Sequence, residues 1–271
     1  MRHARAYAKI NLALVVGPVR DDGKHEVVTV LQRIDLHDDI ALAPASELVV
    51  EGFAGDTIVQ DALEALARAA DVEPRWRVHI EKRIPVAAGL GGGSADAAAA
   101  LLLANMLVPR PLPPERLHVI AAELGADVPF FLREGPQLGT GAGTELSPVV
   151  LPGDYHVVVV LPHGVTKAST AAVYDAFDAR GGAAGFDERA AAVRHALTSI
   201  DAVHDLAALP PNDLGSSPLA QQLSSLGALR ADVSGAGPAV YGLFEVREEA
   251  QRAAEALAAT GRTLVSRPVA R

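Results

Sequence analysis

Alternation of apolar and polar residues marks the first part of the chain as β-structure. Within residues 3–16 every second side chain is apolar, which predicts a strand with one apolar face: Ala6, Ala8, Ile10, Leu12 and Leu14. Lys9 and Asn11 share the opposite face, where two polar groups can project together into a cleft or simply face solvent. This segment alone favours the solvated face. The Asp22-Gly23 turn then predicts a hairpin whose second strand is residues 27–34.

Shorter apolar or alternating segments predict further strands, and segments with apolar residues three or four positions apart predict helices. The predicted strands are 39–43, 48–51, 75–82, 130–132, 155–161, 231–234, 240–244 and, at a sheet edge, 263–266. The predicted helices are 57–70, 94–107, 115–124, 169–178, 187–198, 217–226 and 246–259. In the strand at 75–82, Trp76, Val78 and Ile80 face inward while His79 faces solvent. Because several strands precede the first long helices, this order predicts an α+β fold.

A break in the pattern predicts a domain boundary. Pro148, Pro152 and Gly153 interrupt the chain between residues 146 and 154, which would divide it into domains at 1–150 and 151–271. A length of 271 residues suits two domains of ordinary size. Hydrophobic residues make up 49% of the chain but aromatic residues only 4%, so Ala, Val and Leu must fill the cores.

Charge and composition exclude several classes of function. The net charge of −9 argues against nucleic acid or an anionic membrane as the main partner, although a phosphorylated ligand stays compatible. The chain has no cysteine, which excludes disulfides and thiolate metal sites, and its nine histidines lack the spacing of a zinc site. No segment approaches the ~18 apolar residues of a membrane span, and Lys9 and Asn11 interrupt the N-terminal apolar run that a signal peptide needs. We expect a soluble, cytoplasmic protein, and the sequence leaves its oligomeric state open.

The most informative stretch for function is PVAAGLGGGSADAAAA, residues 85–100. It places four glycines in five residues, Gly89, Gly91, Gly92 and Gly93, directly before Ser94 and an alanine-rich helix. A glycine segment that opens a helix collects unpaired N–H groups at the positive end of the helix dipole, which suits phosphate. The alternative is a tight turn in which glycine only relieves crowding, and the glycine density favours the ligand. The segment fits neither GxxxxGK[ST] nor GxGxxG, so it indicates phosphate without indicating a family.

Other features carry weaker signals by themselves. Two more glycine turns occur, at residues 139–143 and within SGAGP at 234–238. Asp127 follows a predicted helix end at Gly125, where a lone aspartate is more often a turn residue than a catalytic one.

Taken together, these features resemble the GHMP small-molecule kinases, named for the galactokinase, homoserine, mevalonate and phosphomevalonate kinases. AGLGGGSADAA resembles the ATP-phosphate segment of that family, and VSGAGPAVYGLF resembles its C-terminal glycine motif. AYAKINLALVV, RDDGKHEV, LGADVPFFL and PNDL resemble the branch that phosphorylates the 2-hydroxyl of 4-diphosphocytidyl-2-C-methyl-D-erythritol with ATP, in the non-mevalonate route to isoprenoid precursors. The similarity extends from about Ala6 to Phe244.

The resemblance implies a fold and a set of site residues. The fold would combine an N-terminal α+β domain like part of a ribosomal protein with a ferredoxin-like C-terminal domain, and ATP and substrate would meet between them. Lys9 and Asp127 would be catalytic, and Asn11, His25 and Thr170 would line the substrate side together with Asp127. The residues that would bind ATP are Pro85, Gly89, Leu90, Gly91, Gly92, Gly93, Ser94 and Ala95. Mg²⁺ would bridge the phosphates without an assigned protein ligand. Asp96 is a candidate ligand, but it is better interpreted as a first-turn acid that favours the helix dipole.

One position departs from the family pattern. The residue before His25 is usually aromatic and stacks on cytosine, whereas here it is Lys24, which can contact the substrate's diphosphate or point to solvent. Two alternative functions also stay open. Another GHMP kinase would act on homoserine, mevalonate or a sugar, but DGKH argues against it because those substrates lack cytidine. A non-catalytic relative would have no need of Lys9 and Asp127.

Overall fold

The computed structural model describes residues 1–53, 57–165 and 169–269. Over these residues the strands are β1 (Arg2–Val19), β2 (His25–Pro44), β3 (Val49–Glu51), β4 (Trp76–Glu81), β5 (Gln137–Thr140), β6 (Glu145–Pro148), β7 (His156–Pro162), β8 (Arg230–Val233), β9 (Val240–Phe244) and β10 (Gly261–Ser266). The helices are α1 (Thr57–Ala70), α2 (Gly92–Asn105), α3 (Pro114–Leu124), α4 (Val128–Phe131), α5 (Thr170–Ala179), α6 (Phe186–Leu197), α7 (Pro218–Ser225) and α8 (Arg247–Ala256), with a 3-10 helix at Val203–Ala208. None of the described helices is long and apolar enough to cross a bilayer.

The chain folds as two compact units, and β1 and β2 contribute residues to both. The first unit comprises Met1–Ala8, Leu36–Val86 and Gly91–Glu134. The second unit comprises Lys9–Asp35, Ala87–Leu90 and Gly135–Arg271. These segments differ from the predicted domains at 1–150 and 151–271, and that boundary stays a prediction.

In the first unit, β4 lies between β3 and the second part of β2. β4 pairs antiparallel with β2, from Asp39 opposite Glu81 to Pro44 opposite Trp76, and parallel with β3. Its side chains alternate between buried and exposed, which confirms the predicted inward face and the exposure of His79. Most of α2 is buried because α1, α4 and β4 pack around it, and its alanines let these elements approach closely.

In the second unit, four antiparallel strands form a sheet in the order β10-β7-β9-β8, which confirms that β10 is an edge strand. Residues 157–160 of β7 are four consecutive valines, all fully buried. A continuous apolar run of this kind is expected where both faces of a strand are covered. The helices α7 and α8 pack on this sheet, and the first part of β2 pairs with β5 of the β5–β6 hairpin.

These elements confirm the α+β class, and the remaining predicted helices are confirmed with ends shifted by a few residues. Three local predictions are wrong. The strands predicted at 27–34 and 39–43 are one continuous strand, β2, because no glycine or proline interrupts the chain between them. Helix α2 begins at Gly92 rather than Ser94, with Gly91 before it in the left-handed conformation at φ 71°. Residues 130–132 do not form a strand: α4 covers Val128–Phe131, and Pro129 suits the first turn of a helix while it cannot donate to a β-ladder.

Candidate active site

Lys9 and Asn11 are buried in the second unit, with relative exposures of 3% and 4%. Lys9 Nζ donates to Asn11 Oδ1 at 2.6 Å, and Asn11 Nδ2 donates to Thr29 Oγ1 at 2.9 Å. The Thr29 hydroxyl in turn donates to the carbonyl oxygen of Ala13 at 2.8 Å. This series of hydrogen bonds fixes the orientation of the Asn11 amide and therefore the position of the ammonium. The expectation of a solvated strand face is wrong because both side chains are buried, and the alternative, projection into a cleft, stays a prediction.

The C-terminal glycine motif lies beside this ammonium within the same unit. A Cβ atom at Gly235 would be 3.2 Å from Lys9 Nζ and 3.3 Å from Asn11 Oδ1, and Gly235 has a φ of +58°. The Tyr241 hydroxyl donates to the carbonyl of Asn11 at 3.0 Å, so the strand after the motif is also tied to β1. Glycine at position 235 therefore keeps space next to a buried cation.

The two glycine motifs also pack directly on each other. Gly89 has a φ of +87°, and a Cβ there would be 2.2 Å from the carbonyl oxygen of Ser234. A Cβ at Gly237 would be equally close to Ala88. Ser234 Oγ donates to the carbonyl of Gly89 at 3.0 Å. At these two positions glycine is required by close backbone packing. The glycine density in the sequence does not distinguish this packing from the close approach of a ligand.

The PNDL motif holds the C-terminal glycine turn in place. Asn212 Nδ2 donates to the carbonyl of Gly235 at 2.8 Å and to that of Val233 at 3.0 Å. Asp213 Oδ2 accepts hydrogen bonds from the Val16 amide at 2.8 Å and from Arg189 Nε at 3.1 Å. PNDL therefore joins β1 to the glycine turn, a role that the motif by itself does not reveal.

His25 lies in an aromatic cluster formed with α5. Its Nε2 is 2.9 Å from Asp178 Oδ1, and its ring centroid is 4.8 Å from Tyr174 and 6.0 Å from Phe177. Thr170 begins the same helix one turn before Tyr174, and residues four apart share a helix face. The structure thus brings together His25 and the helix of Thr170. Lys24 precedes His25 on an exposed turn, where its amide donates to Asp22 Oδ1 at 3.0 Å.

The predicted ATP segment is divided between the two units. Gly89 and Leu90 belong to the second unit, and residues 91–95 belong to the first, where Gly91 to Ser94 are partly exposed. Because α2 begins at Gly92, the amides of Gly92, Gly93, Ser94 and Ala95 form its first turn. The Ala95 amide donates to the carbonyl of Gly91 at 2.9 Å, whereas helix geometry provides no intrahelical partner for the amides before it.

A buried ionic network that sequence analysis missed lies under this helix start. Lys82 Nζ is 2.7 Å from Asp38 Oδ2 and 2.7 Å from Asp96 Oδ2, and both carboxylates are fully buried. Burial raises the pKa of Asp96 to about 8, although Lys82 acts in the opposite direction. Asp96 lies beyond the first turn of α2, so its interpretation as a first-turn acid is wrong. The three residues are far apart in sequence, and only the position of Lys82 just before the glycine segment hints at a role.

Asp127 belongs to the first unit and is half-buried at the N-cap position of α4. The helix α4, whose residues are all described, receives no side-chain cap from it. The carboxylate is therefore placed by the turn between α3 and α4 without serving as a helix cap.

Comparisons with known proteins identify the family. The model of the GHMP kinase N-terminal domain matches residues 57–135, and that of the GHMP kinase C-terminal domain matches residues 188–263. The 4-diphosphocytidyl-2-C-methyl-D-erythritol kinase of Kineococcus radiotolerans is 39% identical over 275 residues, which cover 93% of this chain and 84% of that protein. The enzyme of the same name from Rhodococcus jostii is 39% identical and covers 95% of this chain and 88% of its own. The chain belongs to the 4-diphosphocytidyl-2-C-methyl-D-erythritol kinase family of GHMP kinases.

Solved structures agree with membership of this kinase family. A crystal structure of 4-(cytidine 5'-diphospho)-2C-methyl-D-erythritol kinase is 33% identical, with a TM-score of 0.80 over 98% of this chain and 99% of that one. The mevalonate kinase of Methanococcus jannaschii has a TM-score of 0.75 at 14% identity, covering 99% of this chain and 98% of its own, and thus shares the fold.

GHMP kinases use ATP, and the residues at the start of α2 fit its phosphates better than they fit a metal ion. They offer backbone amides and the Ser94 hydroxyl, which are donors to anions. Within the described residues, no group of three or more His, Asp or Glu side chains is placed to hold a metal. Asp96 pairs with Lys82 through Oδ2, and its side chain is fully buried beneath the helix start, so it does not face the amides that would hold ATP.

Proposed function

We propose that this protein transfers the γ-phosphoryl group of ATP to the 2-hydroxyl of 4-diphosphocytidyl-2-C-methyl-D-erythritol, as expected for its family. The observation that carries the proposal is the buried Lys9 ammonium, held by Asn11 at 2.6 Å beside the C-terminal glycine motif. Phosphoryl transfer asks a protein mainly to position the reactants and to offset the charge of the moving group. A fixed, buried cation meets the second requirement.

Lys9 and Asp127 are the catalytic residues in this proposal. Asp127 accepts the proton as the O–H bond of the 2-hydroxyl breaks and the oxygen forms its bond to the γ-phosphorus. The bond from that phosphorus to the β–γ bridging oxygen breaks, and ADP leaves. Lys9 offsets the negative charge that develops on the transferred group.

ATP is held in this proposal by the glycine segment, residues 89–95, with Pro85 before it. The amides of Gly92, Gly93 and Ser94, which have no intrahelical partner, and the Ser94 hydroxyl donate to the phosphates, which the positive end of the helix dipole favours. Mg²⁺ bound together with ATP would neutralise part of the phosphate charge. The ion would be held through the phosphates themselves, since no carboxylate of the described residues is assigned to it.

The cytidine end of the substrate is assigned to the His25 cluster. When His25 donates to Asp178 through Nε2, its Nδ1 is an acceptor that suits the amino group of cytosine. Tyr174 provides an aromatic face next to His25, whereas the side chain of Lys24 has no aromatic ring. Asn11 and Thr170 would contact the rest of the substrate.

A cytoplasmic location fits a chain without cysteine.

The test is ADP release by purified protein supplied with MgATP and one alcohol at a time: 4-diphosphocytidyl-2-C-methyl-D-erythritol, homoserine or mevalonate. We expect rapid release with the cytidine substrate alone. Faster release with homoserine or mevalonate would assign the protein to another GHMP activity. No release with any alcohol, despite nucleotide binding, would favour a non-catalytic relative.

A further inference from the structure

Lys82, Asp38 and Asp96 form a buried ionic network to which the proposed reaction gives no role. Asp38 lies on β2 and Asp96 on α2, both at 0% exposure, and Lys82 follows β4 with a side chain that is 14% exposed. All three belong to the first unit. Elements that are distant in sequence therefore meet at a single ammonium group.

The network fixes both ends of the segment from residue 83 to residue 95. At one end, Asp38 Oδ1 accepts a hydrogen bond from the Ile84 amide at 2.8 Å. At the other end, Asp96 lies two residues after Ser94, and Lys82 Nζ is 3.3 Å from the Cβ position of Gly92. The charge state of the network is thus set directly beside the turn of α2 that is assigned to the phosphates.

The network does not balance its charge when every group is ionised. One ammonium then faces two carboxylates, and Asp96 Oδ1 is buried without a hydrogen-bond partner among the described residues. A buried, half-satisfied carboxylate is costly, and protonation removes the charge. Burial first, and then the negative charge of Asp38, raise the pKa of Asp96 to about 8 against the effect of Lys82.

Other charged groups near α2 are too exposed to compensate the negative charge of ionised Asp96. The charged residues of β4 point outward, α4 carries none, and the charged residues of α1 are exposed or partly exposed: Asp61, Glu64 and Arg68. The same two groups, Lys82 and Asp38, account for the electrostatic interactions of Asp96.

We propose that Asp96 is a positioning residue for ATP whose neutral form supports nucleotide binding, whereas its ionised form leaves one uncompensated negative charge beside the start of α2 and weakens that binding. With Lys82 protonated and Asp38 ionised, a protonated Asp96 makes the network neutral. This inference rests on the proposed binding of ATP phosphates at residues 89–95.

The experiment measures the binding of magnesium AMPPNP by calorimetry and the KM for ATP between pH 6.5 and 9.5. For the unaltered protein we expect the dissociation constant of magnesium AMPPNP and the KM for ATP each to rise about tenfold as the pH increases through about 8. The reason is that one buried negative charge then acts on the phosphates. In Asp96→Asn, which keeps the shape without the charge, the rise should shrink to less than about twofold. Asp61→Asn removes an exposed carboxylate of the same unit and should keep the full rise.

A second variant keeps the proposal falsifiable if Asp96→Asn folds poorly, which thermal unfolding at each pH detects. Lys82→Gln removes the cation that favours ionised Asp96, so the midpoint of the rise should move to higher pH. Nucleotide binding with the same pH dependence in all variants, or with none in the unaltered protein, overturns this inference alone. No nucleotide binding at any pH overturns the proposed function as well.

Discussion

The ammonium of Lys9 and the amide oxygen of Asn11, two residues apart on β1, form a 2.6 Å hydrogen bond inside the second unit. Gly235 provides the space beside this pair, since its absent Cβ would lie 3.2 Å from Lys9 Nζ. The N-terminal AKIN segment and the C-terminal glycine motif therefore form one structural site, although more than two hundred residues separate them in the sequence.

Gly235→Ala should lower turnover by about tenfold or more. The added methyl group meets the Lys9 ammonium, and φ at +58° strains any residue with a Cβ by roughly 1–2 kcal/mol. Gly215→Ala is the matched control because a Cβ there meets nothing within 4 Å. Steady-state kinetics and urea unfolding of both variants check this. Equal turnover in the two variants would mean that the space beside Lys9 is not needed.

Gly92→Val should raise the KM for ATP, because the side chain would fill the helix start assigned to the phosphates. Its Cβ would lie 3.0 Å from Ile84 Cγ2, so overpacking should also lower the free energy of unfolding by about 1–3 kcal/mol. Gly153→Val, where a Cβ meets nothing within 4 Å, controls for the substitution itself. Unchanged nucleotide affinity in folded Gly92→Val would exclude the glycine segment as the phosphate site.

The free energy of unfolding should depend on pH through the protonation of Asp96. Its pKa is raised from 3.8 in a solvated carboxyl to about 8 in the fold, so the folded state binds the proton more tightly than the unfolded state between these values. This contribution to the free energy of unfolding is present at low pH and is lost as the pH rises toward 8, by at most about 1.4 kcal/mol per pH unit. Asp96→Asn should therefore gain stability relative to the unaltered protein from pH 5 to pH 8. Urea unfolding measures the difference, and a difference that is constant with pH would contradict the buried, protonated state.

The cytidine site should depend on Tyr174 more than on Lys24. Tyr174→Ala removes the aromatic face beside His25, and stacking on a base is worth about 1–3 kcal/mol, so the substrate KM should rise several-fold to a hundredfold. Lys24→Ala should raise the KM only at low salt if the ammonium contacts the diphosphate. Lys24→Tyr restores an aromatic residue and should bind at least as well as the unaltered protein. If Lys24→Ala leaves the substrate KM unchanged at every salt concentration, Lys24 does not contact the diphosphate.

Local periodicity predicted those parts of the fold that one segment determines by itself. The helix at 57–70 and the inward face of β4 follow from the spacing of apolar residues, and both are confirmed. The start of α2 was missed because Gly92 is a poor helix former on propensity alone, whereas its lack of a side chain lets the helix start pack against Ile84.

Contacts between distant residues were not predictable from the pattern. Nothing in the sequence around Asp38 indicates that it meets Lys82 and Asp96, since such a network depends on how β2, β4 and α2 pack. The burial of Lys9 was missed for the same reason: alternation reports two faces of a strand but does not report that the second face is also covered. The resemblance to the kinase family supplied the candidate site residues that periodicity did not.

The most direct test of the account is the rate of phosphoryl transfer by Asp127→Asn, at saturating ATP and 4-diphosphocytidyl-2-C-methyl-D-erythritol. The substitution keeps the shape of the side chain and removes the proton acceptor, so kcat should fall about 10²–10⁴-fold while the substrate KM changes little. Lys9→Ala should also lower kcat, and the double variant should lose less than the product of the two, because both residues serve the same step. If Asp127→Asn keeps a kcat near that of the unaltered protein, another group accepts the proton and the assignment of Asp127 is wrong.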